Sequence, residues 1–232
     1  MQVVPVIDLL AGQVVRAVRG ERSTYRPIRS ALCAGSEPLD VARTLLDHTG
    51  SNILYIADLD ALTGGIPQAG VLAALLAALP ATTVWLDGGF RDASAFAALL
   101  RQLGADGARV APVFASESLT SPQAARDAFA SHPGAILSLD RRGEEILDPA
   151  GCWTDASLWP ARLIAMTLER VGAFAGPDLE VLASIRRRAP AAMLIGAGGI
   201  RDAADLDAAA AAGADAWLVA SALHDHRLLP LP

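Results

Sequence analysis

Eight short runs rich in Val, Ile and Leu recur along the chain, and stretches with helical spacing of apolar positions separate them. The runs lie at 3–7, 53–57, 83–86, 109–113, 136–139, 163–166, 193–195 and 216–219. Runs that are apolar throughout, rather than alternating, are typical of strands in a sheet covered on both faces. The pattern therefore predicts eight successive βα units.

Eight βα units in 232 residues predict an α/β protein with the (β/α)₈ barrel fold, also called the TIM barrel. A doubly wound open sheet is the alternative arrangement of the same units. Barrels of this length fold as one unit, so residues 1–232 are predicted to form a single domain.

Two halves of the sequence resemble each other. DGGFRDA at 87–93 matches AGGIRDA at 197–203, an offset of 110 residues, and GAD at 104–106 matches GAD at 213–215, an offset of 109. A repeat at a near-constant offset predicts a barrel built from two half-barrels of four βα units each.

The fifth unit is shorter than its counterpart in the first half. Only nine residues, including Pro160, separate Trp153 from Leu163, which is too few for a loop followed by a normal helix. The fifth helix is therefore predicted to be missing or reduced to a turn, leaving seven full outer helices. The apolar barrel face that such a gap exposes would favour a homo-oligomer.

Composition narrows the classes of partner. A net charge of −6 and a pI near 5.1 exclude a basic nucleic-acid surface, and no apolar run reaches the length of a membrane span. Met1 leads directly into the first predicted strand without a signal region, so a cytoplasmic location is expected. Cys33 and Cys152 lack metal-binding spacing and are interpreted as ordinary reduced thiols, so no metal site is expected.

The 19 basic residues are all Arg and none is Lys. Arginine stays protonated and cannot act as an amine nucleophile. A Schiff-base aldolase or transaldolase mechanism is therefore excluded.

Two carboxylates close opposite strands of the predicted barrel. Asp8 ends the first apolar run and Asp140 the fifth, and strand ends of a barrel point into one mouth. If their environments separate their pKa values, one can act as general base and the other as general acid on a small substrate between them. The structural alternative is that each Asp caps a following turn.

Small residues after two pairs of neighbouring strands form candidate phosphate sites. They are Gly88, Gly89, Ala115 and Ser116 in the first half, and Gly198, Gly199, Ala220 and Ser221 in the second. Glycine lets backbone N–H groups approach a phosphate closely. Tight βα turns favour glycine anyway, so the repetition, rather than either pair alone, predicts two phosphate sites.

Three further side chains are candidates for ligand binding. Arg16 and Arg19 follow the first strand and could clamp an anion, or else lie solvated at the surface. Trp153 follows the fifth strand, where its indole could stack on a planar ring or pack in the core.

Several motifs together resemble the phosphoribosylformimino-5-aminoimidazole carboxamide ribotide isomerase family of histidine biosynthesis. They are VPVIDL at 4–9, GQVVR at 12–16, DGGFR at 87–91, GCWTDAS at 151–157 and GAGGI at 196–200. The resemblance implies an Amadori rearrangement of an aminated ribose phosphate, with two phosphate sites and no metal or organic cofactor. It implies that Asp8 abstracts the C2 proton, that Asp140 protonates the ring oxygen, and that Arg16 and Trp153 contact the substrate.

The sequence departs from the family at the sixth strand. The family motif Thr-Asp-Ile-Ser-Arg-Asp-Gly-Thr is replaced by Met166-Thr-Leu-Glu-Arg-Val171-Gly-Ala, so Met166 and Val171 replace a supporting Thr and Asp. Thr167 is predicted to point the other way on the strand. Ala115 and Ala220 also stand where the family's phosphate turns have Gly.

These departures favour a divergent paralogue that acts on a related phosphorylated small molecule. Divergent members of the family accompany methanopterin-linked C1 metabolism in some methylotrophs, which gives a hypothesis for its context. The alternative is a non-catalytic barrel that binds a phosphorylated ligand or serves as an assembly partner.

Overall fold

The computed structural model describes residues 1–17 and 24–230. Its strands, in chain order, are β1 Gln2–Leu10, β2 Gln13–Arg16, β3 Arg26–Pro27, β4 Ile53–Asp58, β5 Thr83–Asp87, β6 Val110–Ala115, β7 Ile136–Arg142, β8 Glu145–Ile146, β9 Arg162–Thr167, β10 Met193–Ala197 and β11 Ala216–Val219. All eight predicted apolar runs lie on strands except for Arg109, which ends the preceding 3₁₀ helix.

Eight of these strands close into a parallel barrel. The ring runs β1, β4, β5, β6, β7, β9, β10, β11 and returns to β1. The predicted (β/α)₈ fold is therefore confirmed, and the open-sheet alternative is wrong. The three remaining strands are short and antiparallel, and they extend the sheet beyond the carboxyl-terminal ends of β1 and β7. β2 pairs with β1 and β3, and β8 pairs with β7.

Helices surround the barrel. They are α1 Pro38–Thr49, α2 Leu59–Leu62, α3 Ala69–Ala78, α4 Ala93–Leu103, α5 Pro122–Ser131, α6 Leu179–Arg188, α7 Ala203–Ala211 and α8 Ser221–His224. Asp92 and Asp202, the matching residues of the two repeated motifs, each cap the helix that follows by accepting a backbone N–H. Among the described residues, no helix is long and apolar enough to cross a membrane.

The fifth unit has no α-helix and contains only the 3₁₀ turn Ala156–Leu158, as predicted. The expected total of seven full outer helices is wrong, because α8 is a single turn of four residues. Two residues after the end of α8, His226 has a φ of 52°, which belongs to the left-handed region, so a right-handed helix cannot continue through it. The described residues thus include six outer helices of nine residues or more.

An irregular segment covers the barrel where the fifth helix would lie. Cys152 and Leu158 are buried in the outer core, and Trp159 packs against that core. The guanidinium of Arg188 lies 4.3 Å from the centre of the Trp159 ring. In residues 143–160 the one exposed large apolar side chain is that of Ile146, so little apolar surface is left for the self-association that was predicted through this face.

Two apolar cores explain why the strand sequences are apolar throughout. One core fills the space between barrel and helices, and the other fills the barrel interior. Residues on one strand alternate between the two cores because strand side chains point to opposite faces. Polar side chains at the carboxyl-terminal ends of the strands therefore project either into the barrel mouth or under a helix, depending only on their position in the strand.

Candidate functional site

A cavity of about 140 Å³ opens at the carboxyl-terminal mouth of the barrel. Asp8 on β1 and Asp140 on β7 both line it, as their placement on opposite strands predicts. The rest of the lining is largely apolar and includes Leu59, Met166 and Leu218. A ligand in this cavity would contact both carboxylates in largely apolar surroundings.

Asp8 is a buried carboxylate whose side chain has no hydrogen-bond partner among the residues that the structure describes. Its side chain lines the cavity, and the residue is only 9% exposed. Burial disfavours the charged form and raises the pKa of Asp8 from 3.8 to about 7. A group of this pKa exchanges a proton easily near neutral pH.

Asp140 is held by a network of short hydrogen bonds. Ser138 Oγ donates to Asp140 Oδ1 at 2.6 Å, and the Glu117 N–H donates to Oδ2 at 3.2 Å. Burial nevertheless raises the pKa of Asp140 well above its usual value, against the lowering effect of Ser138, and the negative charges of Glu117 and Asp87 raise it further. Burial therefore favours the protonated form of Asp140, as it does for Asp8.

Several further polar groups of the cavity were not predicted from the sequence, and two of them are Asp87 and Tyr55. Asp87, at the end of β5, lines the cavity, and Tyr55 Oη donates to its Oδ2 at 3.3 Å. Burial, together with the charges of Asp87, Asp140 and Asp8, raises the pKa of Tyr55 well above 10. Asp87 ends its apolar run just as Asp8 and Asp140 do, and that signal could have identified it. Among the described residues, no three His, Cys, Asp or Glu side chains, these included, are arranged to hold a metal ion.

The predicted phosphate turns of the second half line the cavity. Gly198, Gly199, Ala220 and Ser221 all contribute to its wall. The two glycines have φ values of 82° and 86°, which an alanine would adopt only with strain. Within the described part of the chain, the N–H groups of Gly199 and Ser221 have no acceptor, so they remain available to a ligand.

The predicted phosphate turns of the first half do not line the cavity. The Gly89 N–H donates to Asp87 Oδ1 at 3.1 Å, and Ser116 is fully buried, with its Oγ 2.8 Å from the Leu147 carbonyl oxygen. A Cβ on Gly88 would lie 2.7 Å from the ring of Phe90. The glycines here allow close packing of the protein against itself. Ala115 is also buried, and its carbonyl accepts the N–H groups of residues 118 and 119.

The predicted ligand-binding side chains lie away from the cavity wall. Arg16 forms an ion pair with Asp225, with Nη2 2.5 Å from Oδ1, and so ties β2 to the segment after α8. Trp153 donates its indole N–H to the Asp140 carbonyl oxygen at 3.1 Å and packs against the outer core. Arg19 lies outside the described residues.

The departures from the family motif at β9, the sixth strand of the barrel, are visible in the cavity wall. Met166 and Val171 line the cavity with apolar surface. Thr167 is buried on the other side of β9, where its Oγ1 donates to Asp178 Oδ2 at 2.9 Å, as the alternation of strand side chains predicts. Phe174, in the loop after β9, adds an aromatic edge to the cavity from a left-handed backbone conformation, φ 50°.

Fold and site together define a (β/α)₈ barrel with two buried carboxylates of raised pKa in a cavity at its mouth. A model of the histidine biosynthesis protein family matches residues 2–228. The chain belongs to this family.

Similar proteins include isomerases of the same name from two bacteria and one uncharacterized archaeal protein. The chain is 30% identical to a phosphoribosyl imidazole-4-carboxamide isomerase of Rhodospirillum rubrum, over 97% of this chain and 94% of the relative. It is 31% identical to the isomerase of the same name from Paracoccus denitrificans, over 95% and 93% of the two chains. An uncharacterized protein of Methanocaldococcus jannaschii is 25% identical over 97% of this chain and 93% of its own.

Proposed function

We propose that this protein isomerises a phosphorylated amino-sugar by transferring protons between the substrate and two carboxylates, Asp8 and Asp140. The observation that carries the proposal is that both carboxylates line one largely apolar cavity and that burial raises the pKa of each. Membership of a family whose named relatives are isomerases supports the same reaction type.

Asp140, whose pKa burial raises well above its usual value, supplies the acid. It donates a proton to the ring oxygen of the sugar, and the ring opens as the lone pair of the substituent nitrogen forms a C1–N double bond. Asp8, whose pKa is about 7, then removes the proton from C2. The electrons of that C–H bond form the C1–C2 double bond of an enolamine, which is the enol of the product, as the π electrons of the C1–N double bond return to nitrogen. Tautomerisation of the enol gives the ketose without any change in overall composition.

The phosphate of the substrate binds at the β10–β11 end of the cavity. Gly198, Gly199, Ala220 and Ser221 line this end, and the N–H groups of Gly199 and Ser221 are without acceptors in the described chain. Backbone N–H groups in such turns bind anions. A phosphate held here leaves the sugar carbons to extend toward Asp8 and Asp140.

Complementation of a bacterial strain that lacks the histidine-pathway isomerase tests the named reaction. Growth would assign that substrate, and the Asp8→Asn and Asp140→Asn variants should then fail to support growth, because loss of a general acid or base slows a reaction about 10²–10⁴-fold. Asp207→Asn, which changes an exposed carboxylate on α7, is the matched control and should support growth.

If the wild type does not complement, the same carboxylates are tested on other amino-sugar phosphates. The purified protein is incubated with each compound in deuterium oxide, and incorporation of deuterium at C2 is followed by NMR. Incorporation by the wild type that persists in Asp8→Asn would overturn the proposed role of Asp8.

A second candidate function is phospholigand binding without catalysis. The apolar side chains of Met166 and Val171 in the cavity wall favour it, since the family places a supporting Thr and Asp there. Tight binding of phosphosugars with no deuterium incorporation in any of them would establish this alternative. A role in methanopterin-linked C1 metabolism stays a prediction from the sequence resemblance.

A further inference from the structure

Arg142 is the one basic side chain among the described residues that line the cavity. It makes no hydrogen bond and no ion pair with any residue that the structure describes. We propose that Arg142 binds a second anionic group of the ligand, a phosphate or a carboxylate, at the β7 rim of the cavity. The inference rests on the proposed function, because it concerns the far end of a ligand whose phosphate lies at the β10–β11 end.

The turns after β5 and β6 are poorly suited to bind this second anionic group. The Gly89 N–H, the Ser116 N–H and the Glu117 N–H are already donated to Asp87, Ser138 and Asp140, respectively. An anion at these turns would have to break protein hydrogen bonds in a buried environment, and each such loss is costly. An exposed guanidinium at the rim binds an anion without that cost, and it offers two parallel N–H donors to phosphate or carboxylate.

The alternation of side chains along β7 directs Arg142 to the cavity. Arg142 follows Asp140 by two residues, so the two side chains share a face of the strand, and the rise of about 3.3 Å per residue places Arg142 about 7 Å farther toward solvent. Arg141, on the opposite face, does not line the cavity, and its guanidinium donates to the Gly143 carbonyl oxygen instead.

The acidic groups near Arg142 do not neutralise it by direct contact. Glu145 is its antiparallel partner in the β7–β8 hairpin, yet no carboxylate oxygen among the described residues lies within 4.0 Å of the Arg142 guanidinium. Glu117 and Asp140 line the same cavity. Burial raises the pKa of Asp140 well above its usual value and so favours its neutral form, which does not repel an anion at the rim.

The arrangement defines the shape of the ligand. One anionic group binds at the β10–β11 end, the second binds at Arg142, and the reacting carbons lie between them, at the level of Asp8 and Asp140. The ligand is therefore an elongated sugar derivative with an anion at each end.

Three unreactive, acyclic six-carbon probes test the inference by isothermal titration calorimetry. Glucitol 6-phosphate has one anionic group, 6-phosphogluconate adds a carboxylate, and glucitol 1,6-bisphosphate adds a phosphate. We expect the wild type to bind at least one two-anion probe about 10–100-fold more tightly than glucitol 6-phosphate, as a charge-assisted hydrogen-bond pair provides. Comparison of the carboxylate and phosphate probes shows which anion Arg142 prefers.

Arg142→Gln should abolish this preference and leave the affinity for glucitol 6-phosphate unchanged. Arg141→Gln removes the same charge from the neighbouring residue on the other face and should retain the preference. Thermal unfolding checks that both variants fold. A preference that survives in Arg142→Gln, or is lost equally in Arg141→Gln, would overturn the inference, and so would a wild type that binds all three probes equally. Absence of binding of any probe to the wild type would instead overturn the proposed phosphate site, and the inference with it.

Discussion

Substitution of Asp8 by Asn should stabilise the folded protein at alkaline pH while it removes the proposed catalytic base. In the folded protein the pKa of Asp8 is about 7, and its usual value is 3.8. Between these two values the folded state holds a proton that the unfolded chain has released. The free energy of unfolding of the wild type therefore falls as the pH rises from about 4 to about 7.

The pKa values set the size of the effect. At about 1.4 kcal/mol per pKa unit, the difference between 3.8 and about 7 corresponds to about 4 kcal/mol of lost stability at pH 8. At pH 5 the same relation gives a loss of about 1.5 kcal/mol. Asparagine has nearly the same shape and does not ionise, so Asp8→Asn should exceed the wild type in stability by these amounts.

Equilibrium unfolding in urea, followed by tryptophan fluorescence, measures the difference at pH 5 and pH 8. Trp85 and Trp217 are almost fully buried, so unfolding should change their emission. Asp207→Asn controls for the loss of one negative charge at the surface and should differ from the wild type by less than about 0.5 kcal/mol at both pH values. A stability gain in Asp8→Asn that is equal at pH 5 and pH 8, or a loss at pH 8, would refute the reasoning that burial raises the pKa of Asp8.

Three substitutions outside the site test the packing and one hydrogen bond. A Cβ on Gly196 would overlap the ring of Trp217, so Gly196→Ala should lower the free energy of unfolding by about 3 kcal/mol. The control is Gly70→Ala, in open space on α3, which should leave the free energy of unfolding unchanged or raise it by up to about 1 kcal/mol. Equal urea midpoints for the two variants would contradict the packing. Thr167→Val should cost about 1 kcal/mol through the lost hydrogen bond to Asp178 and leave turnover unchanged, whereas a large fall in turnover would place Thr167 in the catalytic site.

The barrel could be predicted from sequence because its signal is repeated eight times. Each strand is buried on both faces, so its run of apolar residues is continuous. The missing fifth helix was predictable for a simple reason: nine residues between Trp153 and Leu163 cannot form a loop and a helix. The single turn of α8 was not predictable in the same way, because its end depends on the left-handed conformation of His226, which the sequence does not specify.

The site was predictable where strand position alone determines the environment of a side chain. Asp8 and Asp140 end strands with the correct alternation, and the structure places both in the cavity wall. The environment of Arg16 was not predictable, since its ion-pair partner Asp225 is 209 residues away in sequence. Gly89 and Ser116 illustrate a second limit: a turn with the composition of an anion site can donate its N–H groups to the protein's own carboxylate and carbonyl groups.

The departures from the family motif at β9 and the raised pKa values of Asp8 and Asp140 have a common physical basis. Met166 lies beside Asp140 in the β7–β9 ladder and, with Val171, lines the cavity with apolar groups. Burial is the largest cause of the raised pKa of both Asp8 and Asp140, and apolar neighbours increase burial without offering hydrogen bonds. A Thr hydroxyl in place of Met166 could donate a hydrogen bond to a charged carboxylate and lower its pKa, whereas an Asp in place of Val171 would raise it by like-charge repulsion. The apolar side chain of Met166, where the family motif has Thr, therefore also favours the protonated form of the adjoining Asp140.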